Sequence, residues 1–256
     1  MQPDHQIRGY FETLYRAWGR QYWWPAESSF EVIVGAYLTQ NTSWTNVERA
    51  LSALREAQIL SVSGVRRTPL PKLERLIRSA GYFRQKARRL KVFVRFLDEN
   101  HGGSLARMFA QPTAGLREEL LGLEGIGPET ADSILLYAGN YPVFVVDAYT
   151  RRILERHGLA TARTSYEEIR EIFERALGPW AEESLEIDFV CGSATAHSPS
   201  GSSHPPSRMS TARRTAAVQV FNEMHGLIVG VGKTFCKKSQ PACEQCPLQK
   251  FLPGAK

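Results

Sequence analysis

The run LEGIGPETADSILLYAGNYPVFVVDAYTRR, residues 123–152, constrains this chain more than any other stretch. Gly125 and Gly127 flank Ile126 in a tight turn, where residues lacking Cβ reach positive φ cheaply, and Pro128 suits the first position of the helix that follows. The free N–H groups of that helix start, with the positive end of its dipole, make a seat for an anion such as a phosphate. Asp147 follows twenty residues after Gly127, directly behind the apolar run VFVV. A carboxylate in that setting is a candidate catalytic group with a tuned pKa. Its other reading is a helix cap at the start of AYTRRILERHG.

The chain has 256 residues, 43% of them hydrophobic, enough for one large domain or two small ones. Its net charge of +6 favours an acidic partner only modestly. No stretch approaches the roughly 18 apolar residues of a membrane span, and the N-terminus has no apolar leader, so the expectation is a cytoplasmic enzyme. Four cysteines are too few for a disulfide scaffold, and three of them, Cys236, Cys243 and Cys246, crowd the C-terminus as C-x6-C-x2-C, which suggests a metal or cluster site.

Hydrophobic periodicity predicts helices almost throughout, and the VFVV run is too isolated to argue for a sheet. Residues 7–20 place Phe11, Leu14, Tyr15 and Trp18 on one face, and Tyr22, Trp23, Trp24 and Pro25 follow as an aromatic knot. That knot is either a core corner or a wall for a planar ligand. FEVIVGAYLTQ reads as a helix buried on most sides, with Gln40, Asn41, Thr42 and Trp44 in the turn behind it. GYFRQKARRLKVFVRFL sets Arg84, Lys86, Arg88, Arg89 and Lys91 beside Tyr82 and Phe83, a basic face suited to phosphate contact. Asp132 and His225 read as structural. Residues 188–220, rich in Ser, Pro, Gly, Thr and Ala, read as a disordered insertion, and Arg208, Arg213 and Arg214 against Asp188 give it +2 of the net charge.

Taken together, the hairpin run, the aspartate, LTQNT, GYFRQKARRL and the cysteine tail resemble the endonuclease III, or helix-hairpin-helix-GPD, superfamily of DNA glycosylases over the whole chain except residues 188–220. The resemblance implies an all-α fold of two helical lobes, with a helix-hairpin-helix motif, a C-terminal cysteine-cluster loop, and DNA lying across the cleft. One lobe would span residues 26–138 and the other residues 1–25 with 140–256. It implies Asp147 as the catalytic aspartate, Gly125, Gly127 and Thr130 as hairpin contacts to backbone phosphate, Gln40 in the gap left by a flipped nucleotide, and Tyr82 as a wedge in the opposite strand. WWP, QNT with Trp44, IGPETADSIL and VVDAY with Tyr149 are closest to the 3-methyladenine DNA glycosylase III branch. That likeness assigns Trp23, Trp24, Pro25 and Trp44 to a base pocket.

The superfamily's strand-cleaving members carry a lysine two places after the second hairpin glycine, where this chain has Glu129. A carboxylate cannot form the Schiff base that a lysine amine forms, so β-elimination by that route is excluded. The expected activity is therefore monofunctional hydrolysis of the N-glycosidic bond of alkylated purines such as 3-methyladenine. The alternatives are an endonuclease III-like glycosylase for damaged or mismatched pyrimidines and a non-catalytic helix-hairpin-helix DNA-binding protein. The partner would be double-stranded DNA containing damaged bases, and the protein a monomer in a bacterial or archaeal cytoplasm, with the nucleoid. The cysteine tail implies a 4Fe-4S cluster on Cys236, Cys243 and Cys246, although Leu252 stands where a fourth cysteine would complete the set. Zinc recruiting His225, or an empty site, are the other readings, with Cys191 as a distant fourth thiolate or a bystander.

Overall fold

The structure, a computed structural model, describes residues 3–183 and 205–254. Among them it is all-α. The helices are α1 (Pro3–Trp18), α2 (Ser29–Leu38), α3 (Trp44–Glu56), α4 (Val62–Arg67), α5 (Leu70–Leu76), α6 (Phe83–His101), α7 (Leu105–Met108) and α8 (Thr113–Leu121). They are followed by α9 (Pro128–Ser133), which runs on into a π-helical turn (Ile134–Ala138), and by α10 (Ala148–Arg156), α11 (Tyr166–Glu183) and α12 (Ala216–Thr234). The chain divides into two compact units. One is continuous, Ala26–Gly139, and the other combines Met1–Pro25 with Asn140–Lys256.

In the continuous unit, α2 is the central element: Ser28 caps it by accepting the Glu31 amide, and nine of its ten residues are buried. The π-helical turn, α3 and α6 pack around it. Helix α6 buries Lys86, Ala87, Leu90, Phe93, Val94 and Leu97, the i, i+3, i+4 stripe of a half-buried helix, with Lys86 inside the stripe.

In the discontinuous unit, α12 is the hub against which α1, α10 and α11 pack. Ser165 and Glu168 close a reciprocal capping box at the start of α11. Residues 188–204 of the segment read as an insertion lie outside the described residues, as does Cys191. The remainder is organised. Ser207 and Ser210 close a turn, Arg214 donates to Asn140 Oδ1 at 3.0 Å and to the Met209 carbonyl, and α12 begins at Ala216, capped by Thr215. No helix among the described residues is long and apolar enough to cross a membrane.

Candidate active site

Asp147 ends the extended apolar stretch and is the N-cap of α10. Its Oδ1 accepts from the Thr150 amide at 2.7 Å and from the Thr150 hydroxyl at 2.9 Å. Its Oδ2 lies 3.6 Å from His225 Nε2, an ion-pair separation slightly beyond hydrogen-bond reach. Burial acts to raise the Asp147 pKa, but His225 and the two Thr150 donors outweigh it and hold the carboxyl below the usual carboxylate range. The cap reading and the reactive-carboxylate reading therefore coexist: capping occupies one oxygen only.

In the same unit, Trp23 and Trp24 are buried and meet edge-on, with centroids 6.3 Å apart, while Pro25 is half-buried. The Trp23 ring is also edge-on to His225. Glu223, one turn along α12 from Gln219, accepts from the Gln21 amide at 2.6 Å and from Gln219 Nε2 at 2.8 Å, with Arg20 Nε at 3.4 Å, and so anchors the chain that leads into Trp23. Tyr149 packs on α12 at Gly232 and lies under the Arg152 guanidinium.

The continuous unit brings Gln40, Gly125 and Thr130 together. Gln40 Nε2 donates to the Gly125 carbonyl at 2.8 Å and to Thr130 Oγ1 at 3.0 Å, and its Oε1 accepts from Arg89 at 3.2 Å. The two glycines of the hairpin differ. Gly125 has φ +81°, whereas Gly127 is extended at φ −97° and caps α9 with open space where a Cβ would stand. The sequence expectation of positive φ thus holds at Gly125 and not at Gly127. Pro128 opens α9, and Glu129 beside it is exposed. Asp132 is fully buried in a bidentate pair with Arg117, a structural role.

Tyr82 precedes α6 with a left-handed backbone, and its side chain is 70% exposed. Trp44 begins α3, half-buried, and donates to Glu48 Oε1. The proposed basic face of α6 is smaller than the sequence suggested. Lys86 is interior, its ammonium within 2.8–2.9 Å of the carbonyls of Leu38, Gln40 and Ala80 and of Thr42 Oγ1. Lys91 donates to the Val65 and Arg66 carbonyls near the end of α4, and Arg89 is held by Gln40. Arg84 and Arg88 remain exposed.

The cysteine tail requires a correction. Among the described residues no group of three or more His, Cys, Asp or Glu side chains is arranged to hold a metal ion, so the 4Fe-4S cluster expected on Cys236, Cys243 and Cys246 is overturned, and with it a metal-binding cysteine loop. The donor set explains why. Among the described residues three thiols are present where such a cluster takes four, and Leu252 stands at the fourth position of the tail. The cysteines line a small space of about 10 Å³, room for a single water, together with Arg156, Leu248 and Leu252. The Arg156 guanidinium already donates to Cys236 Sγ at 3.1 Å. Burial, with the neighbouring thiols, pushes Cys246 up to about 11, so the free thiol is protonated at neutral pH. Zinc recruiting His225 is excluded equally, because His225 faces Asp147.

Sequence reasoning missed Thr150 and Glu223, placed Arg89 on a phosphate-facing surface rather than on Gln40, and read His225 as core or as a zinc ligand rather than as the neighbour of Asp147. Thr150, three residues after a capping aspartate, was the one signal available in the pattern.

The chain as a whole is similar to known proteins. Residues 34–179 match the family described as HhH-GPD superfamily base excision DNA repair protein. The protein MJ1434 of Methanocaldococcus jannaschii, provisionally named a DNA repair glycosylase, is 39% identical over 250 residues, covering 94% of this chain and 96% of that protein. Endonuclease III of Thermotoga maritima is 26% identical over 220 residues, 86% of this chain and 80% of its own length. The crystal structure of H. pylori 3-methyladenine DNA glycosylase bound to 1,N6-ethenoadenine superposes with a TM-score of 0.69 at 26% identity, covering 90% of this chain and 96% of that one. With the family match spanning more than half of its length and a 39% identical relative aligned nearly end to end, the chain belongs to the HhH-GPD superfamily of base excision DNA repair proteins.

Proposed function

We propose that the protein is a DNA N-glycosylase of base excision repair in which Asp147 is the catalytic carboxylate. The observation that carries this reading is Asp147 itself, a half-buried carboxylate held below the usual carboxylate range, with one oxygen locked by Thr150, in a chain of this superfamily. In the reaction, the C1′–N bond breaks with its electron pair leaving on the base. Water oxygen bonds to C1′, and the proton lost by that water ends on the departing base or in solvent. Positive charge grows on the sugar as the bond breaks, and a fixed carboxylate stabilises it and orients the water.

Taking the base out of the stack costs a few kcal/mol. Trp23, Trp24, Pro25 and Trp44 would repay part of this by stacking, and a cationic alkylated purine would gain roughly 0.5–2 kcal/mol more from the indole faces. Gly125, Gly127 and Thr130 would hold backbone phosphate, with open space at Gly127 supporting close approach. Tyr82, already exposed, fits the wedge. For Gln40 to fill the gap in the duplex it must leave its three hydrogen bonds to Gly125, Thr130 and Arg89.

For the base, the curated relatives named endonuclease III, from Thermotoga maritima and Bacillus subtilis among others, support an endonuclease III-like glycosylase for damaged or mismatched pyrimidines better than the alkylpurine reading. The likeness to the H. pylori enzyme and the Trp23, Trp24 and Trp44 motifs favour the alkylpurine reading. Under either, Glu129 removes the lysine Schiff base, so the product is an abasic site on an uncut strand.

Single-turnover excision on duplexes carrying thymine glycol, uracil opposite guanine, or 3-methyladenine distinguishes the substrates. Asp147→Asn should abolish excision and leave duplex affinity within about twofold. Full excision by that variant would reject Asp147 as the catalytic group.

A further inference from the structure

Helix α12 approaches two parts of its own unit through neighbouring residues. At Gly226 a Cβ would fall 3.1 Å from Gln21 Cβ and 3.2 Å from Trp23 Cβ, so the chain leading to Trp24 lies directly on the helix. One residue earlier, the buried His225 ring is edge-on to Trp23 and to Phe144, with centroids 6.1 and 6.4 Å away. Aromatic walls on two sides restrict rotation of the imidazole. Its Nε2 is thereby aimed at Asp147 Oδ2, 3.6 Å distant.

We propose that His225 is the positioning residue of Asp147, fixing the direction of Oδ2, and so sets the acid limit of base excision without touching DNA. This rests on the reading of Asp147 as the catalytic group. Thr150 commits Oδ1 twice, which leaves Oδ2 as the oxygen with a lone pair to offer a sugar carbon or a water. A group that holds Oδ2 from behind decides where that lone pair points. A buried carboxylate without such a partner takes up a proton more readily, and the neutral acid cannot offset positive charge on the sugar.

Charged groups on the elements packed against α12 make other contacts: from α1, Arg8 donates to the Ala176 carbonyl and Asp4 pairs with Arg175. From α10, Arg152 donates to the carbonyls of Gly232 and Cys236, and Arg156 to Cys236 Sγ. From α11, Glu174 accepts the Phe144 amide and Glu182 the Ala217 amide. Arg20 faces Glu223, and Lys233 Nζ lies 5.9 Å from the centroid of the Trp23 ring. Asp147 is the carboxylate that His225 meets.

Two measurements test this. The Asp147 carboxyl is titrated by 13C NMR in the DNA-free full-length protein and in His225→Gln; its midpoint should rise in the variant. The pH profile of single-turnover excision is then recorded, on whichever of the three duplexes above is cut, for the wild type and His225→Gln. The acid limb should move up by about one unit, about a tenfold loss at a pH on that limb, with duplex affinity unchanged. His225→Phe, which keeps the contacts with Trp23 and Phe144, should show the same displacement and serves if the Gln variant does not fold. An identical Asp147 midpoint in both proteins, or an acid limb that stays in place, overturns the proposal. Full activity of Asp147→Asn removes the catalytic reading instead, and the NMR titration separates the two failures.

Discussion

Arg89 occupies the space that any side chain at Gly125 would need. A Cβ on Gly125 would lie 2.0 Å from Arg89 Nε and 2.2 Å from its Cζ, and the backbone there has φ +81°. Arg89 in turn reaches Gln40, so the hairpin, the helix carrying Arg89 and the turn carrying Gln40 are one polar assembly in the continuous unit.

Gly125→Ala should therefore destabilise the protein by about 2 kcal/mol or more, combining a left-handed backbone with displacement of Arg89. Gly127→Ala, at ordinary φ and in open space, should stay within about 0.5 kcal/mol of wild type. Urea unfolding of the two variants compares them directly. Their order reversed would contradict the geometry.

Lys86→Met should cost about 3 kcal/mol or more. The methionine fills the volume but leaves the carbonyls of Leu38, Gln40 and Ala80 without the ammonium, each a buried acceptor. Burial, with help from Arg89, lowers the Lys86 pKa to about 8, so the folded state favours the neutral amine relative to the unfolded chain. Its contribution should accordingly rise with pH between about 8 and 10.5, measurable as a thermal-unfolding difference from Lys86→Met across that window.

Glu223 and His157 should give opposing pH dependences. Burial lifts Glu223 from 4.5 to about 7, so its stabilising effect is complete below 4.5 and is lost as pH rises through 7, about 3 kcal/mol at about 1.4 kcal/mol per pKa unit. Burial lowers His157 from 6.5 to about 4, so its effect is complete above 6.5 and is lost as pH falls through 4. Between 4.5 and 6.5 the two slopes cancel in part. Glu223→Gln should leave stability climbing with pH across that window, and urea midpoints at pH 4.5, 5.5 and 6.5 would reveal a flat line if the assignment were wrong.

Thr150→Val should remove one of the two donors to Asp147 Oδ1 while keeping the amide cap, at a cost of about 1 kcal/mol. The excision rate should fall with little change in duplex affinity. An unchanged rate would mean that the backbone cap alone suffices to orient the carboxylate.

Chelation should leave the melting temperature unchanged, and the purified protein should lack iron and visible absorption near 400 nm. With Arg156 on Cys236 and a protonated Cys246, Cys243→Ser should likewise shift stability by less than about 0.5 kcal/mol. Loss of stability on chelation would restore the case for a metal.

Much of the fold was legible because its signals are local. The stripe of α6, the apolar run of α2 and the Gly-Ile-Gly-Pro hairpin each state their structure within a dozen residues. Lys86 shows the limit. Composition places a lysine on the basic face, yet its register with Leu90, Phe93, Val94 and Leu97 puts it on the buried one, and the carbonyls that accept it come from Leu38, Gln40 and Ala80. His225 and Glu223 were opaque for the same reason: their partners lie 78 and 202 residues away in the chain. The cysteine spacing misled because spacing reports how thiols are distributed along the chain, whereas ligation also needs a fourth donor and deprotonated sulfur.

The division of the chain into one continuous unit and one built from both ends orders events during synthesis. Residues 26–139 leave the ribosome as an unbroken stretch that holds all of its own packing partners. Helix α1, made first, must wait for α11 and α12, which are made late. A nascent chain can thus finish its hairpin-bearing half while Asp147 still lacks His225. Translation order therefore completes the unit that carries Gly125 and Gly127 before the one that pairs Asp147 with His225.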